Sequence, residues 1–201
     1  MTIRKGEDWG WSGRLPEGAP IAATDAEILS CADRSDRDPP VVGLGGGDLH
    51  RTLGATTVPS RLDSDDAHHF PVDLAHVRLD GVEHRFVSHL VAHRGWWWGP
   101  VLVVANAEFV GTWDVSRRAH PNDGLLDAVL CEGMSARDRY VAWRRLPSAS
   151  HVPHPAISIR RKGSHSWTFP RPLRVRLDGT TVGRASMIEV EVEPDALVVV
   201  V

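Results

Sequence analysis

The sequence has few cysteines, few lysines and no long apolar run. Cys31 and Cys131 are its only cysteines, too few for a disulfide framework or a four-cysteine zinc site, so each is expected to be a small buried apolar residue. No apolar stretch reaches the ~20 residues that a membrane-spanning helix needs, and residues 1–13 lack the apolar core of a secretory signal. We therefore expect a cytoplasmic protein.

Positive charge is neither abundant nor clustered. The formal net charge is -3, and the 23 lysine and arginine residues are spread along the chain. Because nucleic-acid binding needs a concentrated basic surface, nucleic acid is not expected as a partner. Lys5 and Lys162 are the only lysines, an arginine bias that a GC-rich genome explains as well as a ligand would. The apolar content of 42% and charged content of 24% are typical of a globular domain.

The first third of the chain alternates loop signals with short α/β elements. Residues 1–23 hold four glycines and two prolines, which rules out a long regular element. Thr24 or Asp25 can cap a short helix that follows. An apolar strand over residues 41–44 then leads through three glycines into a helix-like segment over residues 48–54. Strand, glycine turn and helix are therefore expected in succession.

Strand signals prevail in the rest of the chain. Only residues 135–146 have the periodicity of a further helix. The sequence VRLDG occurs twice, at residues 77–81 and 175–179, and Asp-Gly predicts a two-residue hairpin because a type I′ turn needs positive φ at both central positions. We predict a mainly β fold, with an antiparallel β-sandwich-like domain over residues 71–201. An abbreviated α/β segment with the glycine-rich loop precedes it over residues 1–70.

A run of three glycines marks a candidate phosphate-binding loop. Gly45, Gly46 and Gly47 follow a strand and open a helix, the geometry in which main-chain N–H groups and the positive helix end attract phosphate. A tight strand-to-helix turn also requires glycine for reasons of backbone conformation alone. The loop therefore predicts either phosphate binding or a plain turn.

Three consecutive tryptophans form a second unusual segment. Trp96, Trp97 and Trp98 are flanked by Arg94-Gly95 and Gly99-Pro100. Neighbouring side chains of a strand point to opposite faces, so at least one indole is expected to be exposed. Exposed indoles beside arginine suit a lipid or membrane surface, and they equally suit a protein interface such as that of a homodimer. Both alternatives stay open.

Histidine is abundant, with 11 residues in the chain. Zinc sites draw on clustered histidine and carboxylate groups, and the nearest cluster is DDAHH at residues 65–69, which also has the composition of a polar loop. His84, His89 and His93 lack the two-residue spacing that would place all three on one side of a strand. A metal-dependent hydrolase is therefore a minor alternative.

The second half of the chain carries an ordered set of family features. A buried strand runs into Ala105-Asn106, a turn follows at Gly111, and the corner PNDGLLD occupies residues 121–127. The chain ends on strands around Asp178-Gly179. This order resembles the C-terminal, substrate-side domain of the diacylglycerol kinase and sphingosine kinase-like lipid kinases, whose pattern runs V-A-N-G, G-G, P-x-A-x-x-D-D-G-L-L-D and D-G-E. The resemblance implies an NAD kinase/diacylglycerol kinase-like fold, with ATP and Mg²⁺ as cofactors.

The resemblance also assigns roles to residues of this chain. The segment from Gly45 to Gly54 is similar to the family's G-T-G-N-D-L-A-R-x-L-G, in which the loop faces the nucleotide phosphates; Asp48 and Arg51 match, and Gly45 and Gly47 replace threonine and asparagine. Any grip on phosphate by Gly45–Gly47 would then depend on main-chain amides. Asp123 matches the second aspartate of a structural magnesium site, and a solvated Asp-Gly turn is the alternative.

The family's catalytic signatures are incomplete. The nucleotide signature G-G-D-G-T is absent, and Thr180 stands where the glutamate of D-G-E would accept the proton of the lipid hydroxyl, next to Asp178 at the remnant catalytic position. Threonine is no base at neutral pH, and positioned proton transfer is worth about 10²- to 10⁴-fold in rate.

We therefore expect a divergent relative of enzymes that phosphorylate lipid hydroxyls with ATP. It would keep lipid or phosphate binding while catalysis is lost or weak, and it would lie in the cytoplasm or peripherally at a membrane. The alternatives are a β domain that binds a protein partner without nucleotide and a kinase that uses a different base.

Overall fold

The structure is a computed structural model that describes residues 9–55, 61–148, 150 and 152–201. The α-helices in these parts of the chain are α1 (Asp25–Ala32), α2 (Asp48–Thr52) and α3 (Ala136–Arg145), and a 3₁₀ helix over Leu146–Ser148 follows α3. The strands are β1 (Trp11–Ser12), β2 (Ile21–Ala22), β3 (Val41–Leu44), β4 (His68–Leu79), β5 (Val82–Phe86), β6 (His89–His93), β7 (Val101–Ala105), β8 (Phe109–Val110), β9 (Trp113–Asp114), β10 (Leu126–Cys131), β11 (Ile157–Lys162), β12 (Ser164–Leu177) and β13 (Thr180–Val200).

Eleven strands form one sheet, and β8 and β9 form a separate hairpin. The order along the sheet is β1-β4-β13-β12-β6-β7-β10-β11, with β5 on β4, β3 on β13 and β2 on β3. All pairings are antiparallel except the parallel pairs β2–β3 and β3–β13. The predicted mainly antiparallel β fold is therefore confirmed. The N-terminal segment joins the same sheet, because β3 adds to the end of β13 at Val198–Val200.

The two VRLDG segments form the predicted hairpin turns. Asp80 and Gly81 have φ of +46° and +90°, and Asp178 and Gly179 have φ of +46° and +82°, as type I′ turns require. In each hairpin the leucine before the turn pairs with the residue after it. The Asp80 carboxylate also accepts the main-chain N–H groups of residues 186 and 187, so this aspartate fixes the turn to the neighbouring strand.

The described residues form two main hydrophobic cores. The larger core lies within the sheet and is built from inward-facing side chains of β4 to β7, β10, β12 and β13, such as Phe86, Leu90 and Ile188. The second core lies under the two N-terminal helices, where Ile28 and Leu49 pack against Val42 and Leu197. Because the second core takes residues from both β3 and β13, it fixes the glycine loop against the end of the sheet.

The two longer helices begin where the sequence predicts. Thr24 is the N-cap of α1 and makes no side-chain cap bond; Glu27 instead accepts the Ala23 N–H at 2.8 Å. Ser135 caps α3 by accepting the Asp138 N–H at 3.2 Å. Neither these helices nor the short α2, which together are the α-helices of the described residues, has the length and apolar character needed to cross a bilayer.

Candidate functional site

A polar cleft of 640 Å³ lies between the N-terminal segment and the sheet. One wall is the start of α1 and of α2, including Asp25 and Asp48; the facing wall holds the tip of the last hairpin, including Asp178 and Thr180. The β8–β9 turn at Gly111 closes one side. The fold therefore brings the end of the glycine loop and the Asp178-Gly179-Thr180 tip together in one groove. About 130 residues separate the two segments in sequence, so local sequence signals do not predict that they meet.

The amides at the end of the glycine loop are occupied by an acidic side chain of the protein. The buried Asp25 carboxylate accepts the N–H of Asp48 at 2.7 Å and of Leu49 at 3.2 Å. Gly47 has φ of +102°, and a Cβ there would stand 2.3 Å from Asp25 Oδ1, so only glycine fits. Burial raises the pKa of Asp25, an effect that these N–H groups oppose and that nearby Asp48 reinforces. Asp25 thus occupies the two main-chain donors that directly follow Gly45–Gly47.

Asp48 and Arg51 fasten α2 to the turn between β8 and β9. Both carboxylate oxygens of Asp48 lie 2.9 Å from the Gly111 N–H. Arg51 donates to the Gly111 carbonyl at 2.8 Å, and its guanidinium lies 4.0 Å from the centre of the Phe109 ring. Asp48 and Gly47 line the cleft, whereas Gly45, Gly46 and Arg51 are not among the described residues that do so.

Asp178 is buried beneath the cleft and serves three main-chain donors. Its carboxylate accepts the N–H groups of Val87 and Ser88 at 2.8 Å and of His89 at 3.0 Å. Burial raises the pKa of Asp178 to about 7, against the effect of those three hydrogen bonds. The side chain therefore holds the turn that leads into β6, while Thr180, the residue at the resemblance's base position, is exposed at the cleft.

The Asp123 carboxylate, which the resemblance places at a magnesium site, is paired with groups of the protein. One Asp123 oxygen accepts the Leu125 N–H at 3.0 Å, and the other contacts the Arg161 guanidinium. The same guanidinium lies 3.5 Å from the buried carboxylate of Asp127. Since a fixed positive charge already neutralises these carboxylates, a divalent cation at Asp123, as the resemblance implies, would have to displace it.

The corner is held from the sheet side by a residue that the sequence did not single out. Asp73 of β4 is fully buried and accepts the N–H of Gly124 at 2.7 Å and of Asp195 at 3.0 Å. Burial raises its pKa to about 6, and the Gly124 N–H opposes that rise. No local pattern marks Asp73, because its partners lie 51 and 122 residues away.

The DDAHH segment has the contacts of a polar loop and strand start. His68 Nδ1 lies 2.8 Å from the Asp66 carbonyl oxygen, and His69 Nε2 lies 3.0 Å from that of Gly13. Asp65 pairs with Arg14 at the surface. These ring nitrogens and carboxylates point to separate partners, and the three-residue clusters with metal-ligand spacing among the described residues do not include them.

An apolar cavity of 310 Å³ lies next to the polar cleft. Valines of β6, β7 and β10 form its floor, and α3 with Trp96 and Trp97 forms its roof. Arg139 is the one charged residue among those described that line the cavity, and its guanidinium donates to the carbonyl oxygens of Met134, Trp96 and Gly99. Its charge is therefore satisfied by the main chain, and the cavity interior remains apolar.

The tryptophan run divides between the cavity and the surface. Trp96, Trp97 and Trp98 are 43%, 49% and 55% exposed, which confirms the expectation that at least one indole is solvent-facing. Trp96 and Trp97 line the cavity, whereas Trp98 lies outside it under the Arg94 guanidinium, 4.9 Å away. Exposed aromatic residues of α3 extend the same rim, with Tyr140 at 48% and Trp143 at 46%.

Cavity and cleft share a wall. The residues common to both are Val91, Trp96, Val110 and Trp113. Trp96 packs edge-on against Trp113 at 5.8 Å and stacks on His93 at 4.3 Å. One bound molecule could thus place an apolar chain among the valines and a polar group beside Asp48 and His89. No local pattern predicts this arrangement, because the lining residues come from segments that lie far apart in the sequence.

Comparisons with known proteins agree with this architecture. The family model described as the YegS C-terminal NAD kinase beta sandwich-like domain matches residues 67–201. A putative diacylglycerol kinase from Bacillus anthracis str. Sterne is similar in structure, with a TM-score of 0.69, 14% identity, and coverage of 90% of this chain and 77% of that one.

Two further solved structures extend the comparison. Another diacylglycerol kinase structure from the same organism has a TM-score of 0.61 at 16% identity, over 90% of this chain and 75% of that one. Yeast NADH kinase complexed with NADH has a TM-score of 0.50 at 10% identity, over 92% and 62%. The comparison with curated proteins found no match. The predicted NAD kinase/diacylglycerol kinase-like fold is thereby confirmed.

Proposed function

Because the chain belongs to the family of YegS C-terminal NAD kinase beta sandwich-like domains, we propose that it binds an amphiphilic lipid at a membrane surface and has lost the transfer of phosphate to that lipid, or nearly so. The observation that carries the proposal is the wall shared by an apolar cavity and a polar cleft at Val91, Trp96, Val110 and Trp113.

The size of the cavity supports a short apolar chain as its occupant. A volume of 310 Å³ holds about ten groups of the size of a water molecule, which corresponds to a chain of roughly ten methylenes. Each buried methylene contributes about 0.8 kcal/mol, so such a chain contributes about 8 kcal/mol toward an association cost of about 4–15 kcal/mol. The polar group at the end of the chain would enter the cleft.

The rim of the cavity supports binding at a lipid surface. Trp97, Trp98, Tyr140 and Trp143 are exposed around its mouth, and amphipathic aromatic side chains favour the headgroup region of bilayers. Four exposed arginines accompany them, at positions 94, 137, 144 and 145, against acidic Glu132 and Asp138. This excess of positive charge suits an anionic membrane.

Loss of phosphate transfer is supported by the state of the predicted catalytic groups. Asp25 occupies the amides of Asp48 and Leu49, so the glycine loop offers fewer donors to a nucleotide. Asp178 is tied to three N–H groups, and Thr180 has no basic side chain. Without a general base, a kinase of this family would lose about 10²- to 10⁴-fold in rate.

Lipid binding can be tested with monoacylglycerols of increasing chain length. We expect affinity, measured by calorimetry, to rise up to about ten carbons and then level off, because further methylenes leave the cavity. Ala142→Trp fills the cavity from α3 and should weaken binding at least tenfold. Val141→Trp is the matched control, since Val141 lies on the same helix, is 40% exposed and is not among the lining residues. Equal effects of the two variants would refute the assignment.

Membrane docking and phosphate transfer need separate measurements. We expect the protein to sediment with phosphatidylglycerol vesicles, and Trp98→Ala, outside the cavity, to reduce sedimentation while leaving monoacylglycerol binding intact. Incubation with ATP, Mg²⁺ and mixed lipids should give no phosphorylated product above background, and a nonhydrolysable ATP analogue should leave the melting temperature unchanged. Robust turnover would overturn the loss of catalysis.

The same aromatic rim gives the second candidate function, a protein interface. It is favoured if no lipid binds and the protein forms a concentration-dependent homodimer that Trp97→Ala abolishes.

A further inference from the structure

A buried histidine in the cleft has a ring nitrogen without a partner. His89 is 4% exposed, and its Nδ1 forms no hydrogen bond with any of the described residues. A buried polar atom in this state costs about 1–3 kcal/mol. A bound ion or a catalytic role is one reason why a native protein keeps a buried polar atom without a hydrogen bond.

Two carboxylates face this nitrogen. His89 Nδ1 lies 3.7 Å from Asp48 Oδ2, and one atom each of Asp25, Asp48 and His89 lie within 4.8 Å of one another. Tetrahedral ligand atoms 2.0 to 2.2 Å from one Zn²⁺ ion lie about 3.3 to 3.6 Å from one another, so the three side chains would have to draw together by up to about 1.5 Å to share a cation. They form the one such cluster among the described residues.

We propose that Asp25, Asp48 and His89 bind a divalent transition-metal ion, Zn²⁺ in the first instance, in the floor of the cleft. One imidazole nitrogen and two carboxylate oxygens are a donor set that suits Zn²⁺ better than Mg²⁺, which prefers oxygen alone. Three protein ligands leave a fourth position open toward the cleft. The Asp123 corner, where the resemblance implies magnesium, is a different place in the fold.

The ligands are held in position by main-chain donors. Asp25 is fixed by the N–H groups that begin α2, and Asp48 by the N–H of Gly111. Hydrogen bonds of this kind orient carboxylate ligands and raise metal affinity. Since each carboxylate oxygen has a second lone pair, these bonds do not prevent coordination.

The charges of the cluster also favour a cation. One oxygen of Asp25 and one of Asp48 lie within 4.8 Å of each other, and a metal ion between the two carboxylates would offset their repulsion.

The test uses the purified full chain, stripped of metal with EDTA and titrated with ZnCl₂ by calorimetry. We expect one site that binds Zn²⁺ more tightly than the surface of the protein does, and His89→Gln should weaken Zn²⁺ binding at this site at least tenfold. His93→Gln is the matched control, because His93 lies on the same strand, is also buried and also has an unpartnered Nδ1, yet belongs to no such cluster. Any Zn²⁺ bound by surface histidines would be bound equally by both variants, so a difference between the variants reports on the cleft site.

A second variant covers the case in which His89→Gln fails to fold. Asp48→Asn keeps an acceptor for the Gly111 N–H and removes the charge, and it should also weaken the site at least tenfold. Co²⁺ titration provides a spectroscopic check, since the visible absorption of a four-coordinate ion should vanish in both variants. The proposal is overturned if the wild type binds no Zn²⁺, or if His93→Gln weakens binding as much as His89→Gln. Because no lipid is present, this result is independent of the proposed lipid function.

Discussion

The Asp25 carboxylate accepts a 2.7 Å hydrogen bond from the main-chain N–H of Asp48, 23 residues further along the chain. This contact links the first turn of α1 to the glycine loop, and it places a negative charge where a bound phosphate would need donors. Two of the main-chain donors at the start of α2 are thus bonded to an internal anion. The apolar cavity of 310 Å³, by contrast, lies at the lower end of the volume range of ligand pockets, about 300 to 1,000 Å³.

Replacement of Asp25 should destabilise the fold through the glycine loop. Asp25→Ala leaves the buried N–H groups of Asp48 and Leu49 without their acceptor, which costs about 1–3 kcal/mol of unfolding free energy. Urea denaturation measures this loss. Asp33→Ala is the control, because Asp33 follows the same helix but forms only a surface ion pair with Arg85; it should change stability by less than about 1 kcal/mol. Similar losses in both variants would contradict the role given to Asp25.

Arg139 should control the order of the tryptophan run. Its guanidinium donates to the carbonyl oxygens of Met134, Trp96 and Gly99, so Arg139→Met leaves three acceptors unpaired and detaches α3 from the run. We expect a loss of about 2–4 kcal/mol, by analogy with hydrogen bonds to charged groups, and a red shift of tryptophan fluorescence as Trp96 and Trp97 become solvated.

The matched control for Arg139 is its exposed neighbour in the same helix. Arg137→Met removes an arginine that is exposed to solvent, and it should leave both stability and fluorescence nearly unchanged. If Arg139→Met keeps the emission spectrum of the wild type, the three carbonyl contacts do not position the cavity roof.

Local features of this fold were predictable, whereas the site was not. The Asp80-Gly81 and Asp178-Gly179 turns follow from two residues each, because positive φ is a local requirement. Strand alternation predicts at least one exposed indole in the Trp96–Trp98 run, but the run lies between β6 and β7, outside a strand, and all three indoles are exposed. The Asp178 carboxylate, however, is used by N–H groups about 90 residues away, and the sequence around Asp178 gives no sign of them.

Contacts between distant segments also decide the surroundings of Asp123 and Gly47. A family pattern indicates that Asp123 lies at a corner, but the cation beside it is Arg161, from a strand 38 residues further on. The sequence indicates that Gly47 is a loop residue, and only the fold shows that Asp25 fills the space beside it. Contacts between distant segments depend on the register of β13 with β3 and β4, which no local signal specifies.

Acid should weaken the wild type relative to His93→Gln. Burial lowers the pKa of His93 below its ordinary value of 6.5, and the positive charges of Arg174 and Arg176 lower it further. Below about pH 6.5 the unfolded chain binds a proton that the folded chain resists, so the contribution of His93 is fully present above that pH and is lost as pH falls. Each tenfold reduction in proton affinity corresponds to about 1.4 kcal/mol.

The measurement is the difference in unfolding free energy between the wild type and His93→Gln at pH 7.5 and pH 5. We expect the wild type to lose stability relative to the variant at the lower pH, since glutamine does not titrate. Other histidines and carboxylates contribute equally to both proteins and cancel. A difference that stays constant, or that favours the wild type in acid, would contradict a buried neutral His93.

Arg161 should make the Asp123 corner independent of magnesium. Its guanidinium contacts Asp123 and lies 3.5 Å from Asp127. A ligand raises the melting temperature only if it binds the folded protein, so neither EDTA nor about 5 mM Mg²⁺ should change the melting temperature of the wild type. Arg161→Ala leaves the two carboxylates without a counter-charge and should lower stability by about 1–3 kcal/mol. Added Mg²⁺ should then raise the melting temperature of the variant by about 2–4 °C for each kcal/mol of binding free energy.

The control is Arg160→Ala, on the exposed side of the same strand, whose melting temperature should respond to neither EDTA nor Mg²⁺. A magnesium response in the wild type would contradict the prediction, because it would show that the ion displaces the Arg161 guanidinium.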